Sequence, residues 1–303
     1  MSPPKIAPES AVMRTVGWRD YALLDSGNGR KLERYGPYTV VRPEPQCLWT
    51  PRLPASAWDG ADAVFDPTDE EDAGRWRFKG PHKETWPLGW GDVRFHGRFT
   101  AFRHLAFFPE QAANWGFLGE AVRTARAAGG AEPPRVLNLF GYTGVASLVM
   151  AAAGAAVTHV DASKKAVAWA RENAELSGLA DRPIRWIVED AKKYVAREAR
   201  RGSKYDGIIL DPPKYGRGPD GQVWRLFEDL PELAALCCEL LSENAKFLVL
   251  NAYAERISGA ALAGLLAEKL SDRGGHIGWG ELALMEERGD RAIGMSFYAR
   301  WTP

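Results

Sequence analysis

The pattern of apolar and polar positions changes near residue 108 and predicts two regions of different architecture. Between Trp18 and about Pro109, short β-prone segments are separated by Gly, Pro and Asp, which is typical of antiparallel strands joined by turns. Those segments are Tyr21–Leu24, Tyr38–Arg42, Arg75–Phe78 and Val93–Phe95. Beyond Arg135, apolar runs of four to six residues alternate with helical segments, and this alternation predicts a parallel sheet.

The second region accounts for most of the predicted architecture. Its predicted strands lie at 136–140, 157–161, 184–189, 205–210, 246–250, 276–284 and 293–301. The predicted fold class is α/β: a doubly wound sheet, mostly parallel, with a C-terminal antiparallel hairpin, plus a small N-terminal antiparallel β domain. The predicted domain limits are a flexible tail at 1–15, a β-rich domain at 16–107 and a ligand-binding domain at 108–303.

The first predicted strand ends in a glycine turn, Gly141-Tyr142-Thr143-Gly144, which leads into the helical segment GVASLVMAAAG. Ligands of doubly wound folds lie outside the carboxyl ends of the strands, at the topological switch point. Glycines let the backbone approach a ligand closely, and the helix N-terminus offers N–H groups. A strand-to-helix turn without a ligand is the alternative interpretation of this stretch.

Three aspartates follow the next predicted strands. Asp161 ends the second strand, where a carboxylate accepts hydrogen bonds from ribose hydroxyls. Asp190 follows the third strand, where an acceptor suits an adenine amino group, and Asp211 follows the fourth. Each aspartate alone is also a good helix N-cap. Their joint occurrence favours an adenosine ligand.

A dinucleotide is the rival ligand. Its fingerprint, G-x-G-x-x-G, brings a pyrophosphate onto the helix N-terminus. This turn has Gly141 and Gly144 with the bulky Tyr142 between them, and the chain has no P-loop lysine. An adenosine ligand without a pyrophosphate, S-adenosylmethionine, is therefore the economical interpretation, and a dehydrogenase is the distant one.

Composition narrows the possible partners only slightly. The 303 residues include 39 Lys and Arg and 39 Asp and Glu, so a zero net charge gives no electrostatic argument for nucleic acid. Three cysteines without paired spacing indicate a reducing compartment. We expect a cytoplasmic protein without a membrane segment or secretory signal, and without a metal, because no clustered His/Cys ligand spacing occurs.

The motifs N-L-F-G-Y-T-G, V-D-A-S, E-D-A and D-P-P-K-Y, in this order, resemble class I methyltransferases. More narrowly they resemble the bacterial large-subunit ribosomal RNA methyltransferase family with an F-x-Y-T-G turn and a D-P-P-K-[FY] motif. The segment F-P-E-Q-A-A-N-W (Phe108–Trp115) is similar to that family's lead-in segment. The resemblance covers about Phe108 to the C-terminus, and Asn138 departs from the acidic residue common there.

The resemblance implies a role for each matched residue. S-adenosylmethionine would be the cofactor and RNA, ribosomal RNA by resemblance, the substrate. The implied cofactor-binding residues are Phe140, Gly141, Tyr142, Thr143 and Gly144 at the methionine part, Asp161, Ala162 and Ser163 at the ribose, and Asp190 and Ala191 at the adenine. Asp211, Pro212, Pro213 and Lys214 would lie between the sulfonium and the acceptor as catalytic residues, and Asp211 is also counted among the cofactor-binding residues. The prolines stiffen the backbone there, and Tyr215, the fifth predicted catalytic residue, would stack on a base.

Cysteine placement bears on the type of methyl transfer. Cytosine-5 members of that family use a thiolate just after the fifth strand. Here the corresponding stretch, Leu248–Tyr253, has no cysteine, and Pro213-Lys214 occupy the fourth-strand alternative. We therefore predict direct methylation of a nitrogen or oxygen. A small-molecule or protein acceptor, and a non-enzymatic module that binds S-adenosylmethionine, remain as alternatives.

Overall fold

The structure is a computed structural model that describes residues 2–68, 73–129, 132–253 and 256–303. The chain forms two compact units. The large unit comprises Met1–Met13, Ala113–Leu282 and Met295–Pro303, and the small unit comprises Arg14–Ala112 and Ala283–Gly294. The domain limits given in the sequence analysis remain a prediction, separate from this division into two units.

Strands predominate before Ala112, and helices and strands mostly alternate from there on. The strands are β1 (Lys5–Ile6), β2 (Ala11–Thr15), β3 (Tyr21–Gly27), β4 (Arg30–Tyr35), β5 (Tyr38–Pro43), β6 (Ala63–Pro67), β7 (Gly74–Phe78), β8 (Thr85–Trp90), β9 (Val93–Arg98), β10 (Arg135–Leu139), β11 (Ala156–Asp161), β12 (Ile184–Val188), β13 (Gly207–Leu210), β14 (Tyr215–Arg217), β15 (Val223–Arg225), β16 (Phe247–Ala252), β17 (His276–Met285) and β18 (Ala292–Thr302). The helices are α1 (Ala55–Asp59), α2 (Ala112–Ala127), α3 (Val145–Ala152), α4 (Lys164–Leu176), α5 (Ala191–Arg200), α6 (Leu226–Leu240) and α7 (Gly259–Lys269).

The large sheet has the strand order β1-β17-β18-β16-β13-β10-β11-β12, with β2 also paired to β17. The ladders that join β16, β13, β10, β11 and β12 are parallel, and β18 runs antiparallel to β16. The predicted fold class is therefore confirmed. Because β10 has β11 on one side and β13 on the other, the chain reverses its direction of winding at β10, which is the topological switch point.

The central strands are buried on both faces, which explains why they are continuous apolar runs. Leu137 and Leu139 point into a core that also contains side chains from α5, α6 and α7. Val136 points into the opposite core, with Leu118 of α2 and Met150 of α3. Helices therefore cover both faces of the sheet, and the carboxyl ends of the strands form a common edge.

The small unit contains a five-stranded sheet in the order β3-β4-β5-β6-β7 and a separate β8–β9 hairpin. Neighbouring strands within these two sheets run antiparallel except β5 and β6, which are parallel because α1 forms the crossover between them. The core of the unit contains a buried ion pair, in which Arg42 donates to Glu33 at 2.7 Å. Tyr21 and Tyr35 also donate to Glu33, so the buried carboxylate has several partners.

Two segments differ from the sequence-based expectations. Residues 5–6 and 11–15, expected to be a flexible tail, are strands that pair with β17. Residues 216–221 have the glycine and proline content of a loop, but residues 216–217 belong to β14, which pairs antiparallel with β15, and residues 218–221 lie in the turn between the two strands. In both cases the pairing depends on residues outside the segment, so the local sequence did not predict it.

A substitution at Gly207 of β13 tests how tightly the core packs against the sheet. A β-carbon there would overlap the ring of the buried Phe247, so Gly207→Ala should lower the free energy of unfolding by about 2 kcal/mol. Gly264→Ala in α7 is the control, because no heavy atom lies within 4 Å of the added carbon. It should raise stability by about 0.5–1 kcal/mol. Urea unfolding followed by circular dichroism measures both, and equal effects would contradict the packing argument.

Candidate active site

The turn between β10 and α3 has an unusual backbone. Phe140 and Tyr142 have φ angles of +57° and +48°, in a region that bulky side chains rarely adopt. Gly144 has a φ of +83°, and its N–H donates to the carbonyl of Gly141 at 2.9 Å. Strained residues of this kind cluster at ligand-binding sites and persist only where the surroundings hold them.

Asp161, at the end of β11, holds this turn. Its Oδ2 accepts the N–H of Tyr142 at 2.8 Å, and its Oδ1 accepts the N–H of Ser163 at 2.8 Å. Burial raises the pKa of the carboxyl group, while the same two N–H groups oppose that rise by stabilising the carboxylate. One side chain thus joins the loops that follow β10 and β11.

A buried polar chain lies beneath the turn. Asn138 and His159 are partners in the β10–β11 ladder. Ser147 of α3 links them: its Oγ accepts from Asn138 Nδ2 at 2.9 Å and lies 3.0 Å from His159 Nδ1. Burial lowers the pKa of His159 to about 3, so the imidazole is neutral at physiological pH. The His159 ring fills the space that a side chain at Gly141 would need.

Helix α4 supports the turn from a second side. The buried Asn173 donates from Nδ2 to the carbonyl of Thr143 at 2.9 Å. A β-carbon at Gly144 would lie 2.8 Å from the Cβ of Ala170, so the close approach of α4 excludes any larger residue there. The glycine is therefore required both by its φ angle and by helix packing.

The predicted residues after β11 and β12 lie at helix starts. Ser163 is the N-cap of α4, and its Oγ accepts the N–H of Ala166 at 3.2 Å. Asp190 is the N-cap of α5 and accepts the N–H of Lys193 at 2.9 Å. The structural role that the sequence left open for Asp190 is thus present. Its predicted role at an adenine, with Ala191, remains a prediction, as does the predicted place of Ala162 at the ribose.

The Asp211–Tyr215 segment leaves the carboxyl end of β13 and leads into β14. Trp224 fixes it: its indole N–H donates to the carbonyl of Pro213 at 2.7 Å, and its ring lies 5.0 Å from that of Phe140. The carbonyl of Lys214 accepts the N–H of Leu226 at 3.0 Å. Through Trp224, this segment and the β10–α3 turn pack against one another.

A third polar cluster lies at the end of β16. Asn114, in the predicted lead-in segment, donates from Nδ2 to Asn251 Oδ1 at 2.9 Å. Arg300 of β18 donates from Nε to Asn114 Oδ1 at 3.0 Å and is itself buried. Burial lowers the pKa of the guanidinium to about 10. The cluster ties the start of α2 to β16 and β18.

The predicted site residues therefore follow four neighbouring parallel strands, β12, β11, β10 and β13, along one edge of the sheet. Sequence reasoning missed the residues that support them from behind. These are Asn114, Ser147, His159, Asn173, Trp224, Asn251 and Arg300. For His159 and Asn251 the available signal was a polar residue within a mostly apolar strand, as in Val157-Thr158-His159-Val160 and Leu250-Asn251-Ala252.

Two features are absent from the parts of the chain that the structure describes. No group of three or more His, Cys, Asp or Glu residues is arranged to hold a metal ion there. Within the same residues, every helix is too short or too polar to cross a membrane. The expectation that no metal is required stays a prediction.

The comparisons with known proteins agree with this geometry. A crystal structure described as a SAM-dependent methyltransferase from Agrobacterium tumefaciens is 50% identical to this chain, with a TM-score of 0.94; the match covers 100% of this chain and 96% of that one. The chain belongs to the SAM-dependent methyltransferases. The family model described as "Conserved hypothetical protein 95" matches residues 122–258, within the large unit of this methyltransferase.

Curated relatives match shorter segments of the methyltransferase. "Ribosomal RNA large subunit methyltransferase K/L" of Shewanella frigidimarina is 32% identical over 137 residues, 45% of this chain and 19% of that protein. "Ribosomal RNA large subunit methyltransferase I" of Aeromonas salmonicida is 43% identical over 82 residues, 27% of this chain and 21% of that protein. The chain thus spans about a fifth of the length of these relatives. Family membership confirms the predicted cofactor class and the predicted family resemblance.

The buried His159 makes stability depend on pH. Its pKa is about 3 in the folded protein against an ordinary 6.5, so below pH 6.5 only the unfolded chain takes up this proton. Stability should fall with decreasing pH, by about 1.4 kcal/mol per pH unit from this group between pH 6 and pH 4. His159→Gln should remove that slope, whatever its effect at pH 8. Urea titrations at several pH values measure the free energy of unfolding and hence this slope. His276→Gln is the control, because His276 is exposed. An unchanged slope in His159→Gln would contradict the assignment.

Proposed function

We propose that this methyltransferase transfers a methyl group from S-adenosylmethionine to a nitrogen or oxygen of RNA, with large-subunit ribosomal RNA as the substrate and without a covalent cysteine adduct. The observation that carries the cofactor part of the proposal is the backbone between Phe140 and Gly144, held by Asp161 at the switch point of the sheet.

The residues present fit this cofactor. Gly144 is the N-cap of α3 and provides no side-chain hydrogen bond, so the first-turn N–H groups of α3 lack the capping acceptor that α4 and α5 have. A carboxylate such as that of the methionine part suits this position. Asp161 ends β11, where a carboxylate would accept hydrogen bonds from a ribose, and Asp190 follows the neighbouring strand. The turn, with Tyr142 and Thr143 between its two glycines, lacks the G-x-G-x-x-G pattern of a pyrophosphate site.

The proposed chemistry is an in-line displacement in which the protein orients the two reactants and excludes water. The bound cofactor supplies a methyl group on a positively charged sulfur. Asp211 would accept a hydrogen bond from the attacking amine or hydroxyl, which raises its nucleophilicity. Pro212 and Pro213 stiffen the backbone next to it. Lys214 and Tyr215 would contact the acceptor, Tyr215 by stacking on a base.

The RNA part of the proposal rests on the curated relatives. The Shewanella and Aeromonas proteins are both named as ribosomal RNA large subunit methyltransferases, and each matches only part of this chain. The zero net charge of the chain favours a small-molecule or protein acceptor instead. A methyl-transfer assay on all three kinds of acceptor separates these possibilities directly.

The cysteine residues support direct transfer. Cys237 and Cys238 are buried in α6, and Cys47 is buried in the small unit. Burial raises the pKa of Cys47 to about 11 and of Cys238 to about 12, and that of Cys237 well above its ordinary value. All three thiols are therefore protonated at neutral pH, whereas an attack on a pyrimidine ring requires a thiolate.

Transfer of a labelled methyl group tests the proposed function. The protein is incubated with methyl-labelled S-adenosylmethionine and with RNA, protein and small-molecule fractions from cells that lack this gene. We expect label in RNase-sensitive material, and nucleoside analysis then names the modified atom. Label confined to the protein or small-molecule fraction would overturn the RNA assignment, and absence of any transfer would overturn the enzymatic one.

Two carboxamide variants divide cofactor binding from the chemical step. Asp161→Asn loses one carboxylate acceptor for the backbone N–H groups, so it should raise KM for S-adenosylmethionine by about tenfold or more. Asp211→Asn should lower kcat by about 100-fold with a smaller change in that KM. Asp181→Asn is the control, since Asp181 is exposed in the loop before β12, at the opposite edge of the sheet. Equal kinetic effects of Asp161→Asn and Asp211→Asn would contradict the division of roles.

A cysteine-free protein tests direct transfer. The triple variant Cys47→Ala, Cys237→Ala and Cys238→Ala should lose stability, about 1 kcal/mol per buried sulfur, and should keep kcat within about threefold. Steady-state methyl transfer below the melting temperature of the variant measures this, with unfolding curves to establish the folded fraction. A loss of kcat of the order of 100-fold or more in the folded variant would contradict the prediction, because removal of a covalent nucleophile has an effect of this size.

A further inference from the structure

The β14–β15 ribbon, Tyr215–Arg217 paired with Val223–Arg225, has two chemically different faces. Residues opposite one another in an antiparallel pair, and residues two apart along a strand, share a face. Tyr215 lies opposite Arg225, and Arg217 lies opposite Val223. These four residues therefore form one face, which we call the outer face, and all four are exposed.

The opposite, inner face consists of Gly216 and Trp224, which are also paired. Trp224 is buried, contacts the Phe140 ring and donates to the Pro213 carbonyl. The inner face is therefore anchored on the β10–α3 turn and on the Asp211–Lys214 segment. This anchoring holds the outer face in a fixed position directly after the proposed catalytic residues.

The outer face combines an aromatic ring, an aliphatic side chain and two cations. Tyr215 is 51% exposed and Val223 is 46% exposed, which is a large exposed fraction for such side chains. Arg217 donates from Nε to the Tyr215 hydroxyl at 3.3 Å, so the guanidinium lies next to the phenol. Exposed arginines interleaved with an aromatic ring suit a single-stranded nucleic acid, because every base has a face for stacking and every linkage a charge.

The acidic side chains beside the ribbon either pair with a residue outside the ribbon or form only a weak, exposed ion pair with it. Asp220, in the β14–β15 turn, accepts from Lys193 at 3.0 Å. Glu228 lies 3.3 Å from Arg225, and both side chains are well exposed, so this pair contributes little and a phosphate competes with it readily. The outer face itself carries two positive charges and no carboxylate in a chain whose net charge is zero.

We propose that the outer face of the ribbon binds the single-stranded RNA segment next to the nucleotide being methylated, with Tyr215 stacked on a base and Arg217 and Arg225 at phosphates. This inference rests on the proposed function and adds to it a specific RNA-binding surface. The RNA then reaches Asp211 because only Pro212, Pro213 and Lys214 separate that residue from the ribbon.

The test measures RNA affinity separately from cofactor affinity. The double variant Arg217→Ala/Arg225→Ala should weaken binding of a fluorescein-labelled single-stranded oligouridylate of about 12 nucleotides by about tenfold or more. Loss of two phosphate contacts should also reduce the slope of log K against log salt by about 1.4. Tyr215→Ala should weaken binding by about tenfold, and Tyr215→Phe should restore it. The affinity for S-adenosylhomocysteine should stay unchanged in every variant.

The control is Arg123→Ala/Arg126→Ala. Arg123 pairs at 2.9 Å with Glu120, which is three residues away in the chain. Arg225 likewise has a glutamate partner three residues away, so the two arginines are comparable. It lies in α2, whose end leads toward the start of β10 and hence to the opposite edge of the sheet. The control removes the same charge as the ribbon variant and should change RNA affinity little.

The outcomes separate this inference from the proposed function. Wild-type protein that methylates RNA while Arg217→Ala/Arg225→Ala matches the control in affinity and in KM for RNA would overturn the ribbon assignment alone. Unchanged affinity in Tyr215→Ala would do the same, since the surface would then attract any polyanion. Wild-type protein that methylates only protein or small molecules would overturn both proposals.

Discussion

Two backbone N–H groups from different loops donate to the same carboxylate, that of Asp161. This contact keeps Tyr142 in a left-handed conformation and so sets the path of the backbone between β10 and α3. The remaining features of the edge depend on that path: the start of α3, the position of the Phe140 ring and, through Trp224, the Asp211–Lys214 segment. Burial makes the ionised carboxyl costly, and the two N–H groups offset that cost.

The polar chain beneath the turn has a different physical role. Asn138 and His159 occupy central strands where apolar residues would stabilise the core more, and Ser147 forms a hydrogen bond with each of them. Such a network is favourable only when its members are hydrogen-bonded, so it limits the arrangements that α3 can take over the sheet. The Asn138 amide donates to Ser147 and carries no charge. A neutral interior chain supports the turn without adding a charge to it.

The sequence predicted the features that depend on residues close together in the chain. The strands β10, β13 and β16 are buried on both faces, so their continuous apolar composition alone predicts them as buried strands. The turn directly follows the first predicted strand and Asp161 ends the second, and the order of strands brings them together. The supports could not be predicted in this way, because Asn173 and Trp224 act on residues 30 and 11 positions away. Strands β1 and β2 were missed because they pair with β17, about 270 residues further along.

The ribbon illustrates the limit of a local pattern. Gly216–Gly221, rich in glycine and proline, is typical of a loop, and nothing within it predicts pairing. The pairing depends on Trp224, whose burial against Phe140 fixes β15 and thereby β14. Once that residue is buried, the two-residue period of a strand requires its neighbours Val223 and Arg225 to face solvent. The same anchor that orders the ribbon therefore also exposes its arginines and tyrosine, so the chemistry of the outer face is a direct consequence of the packing of the inner one.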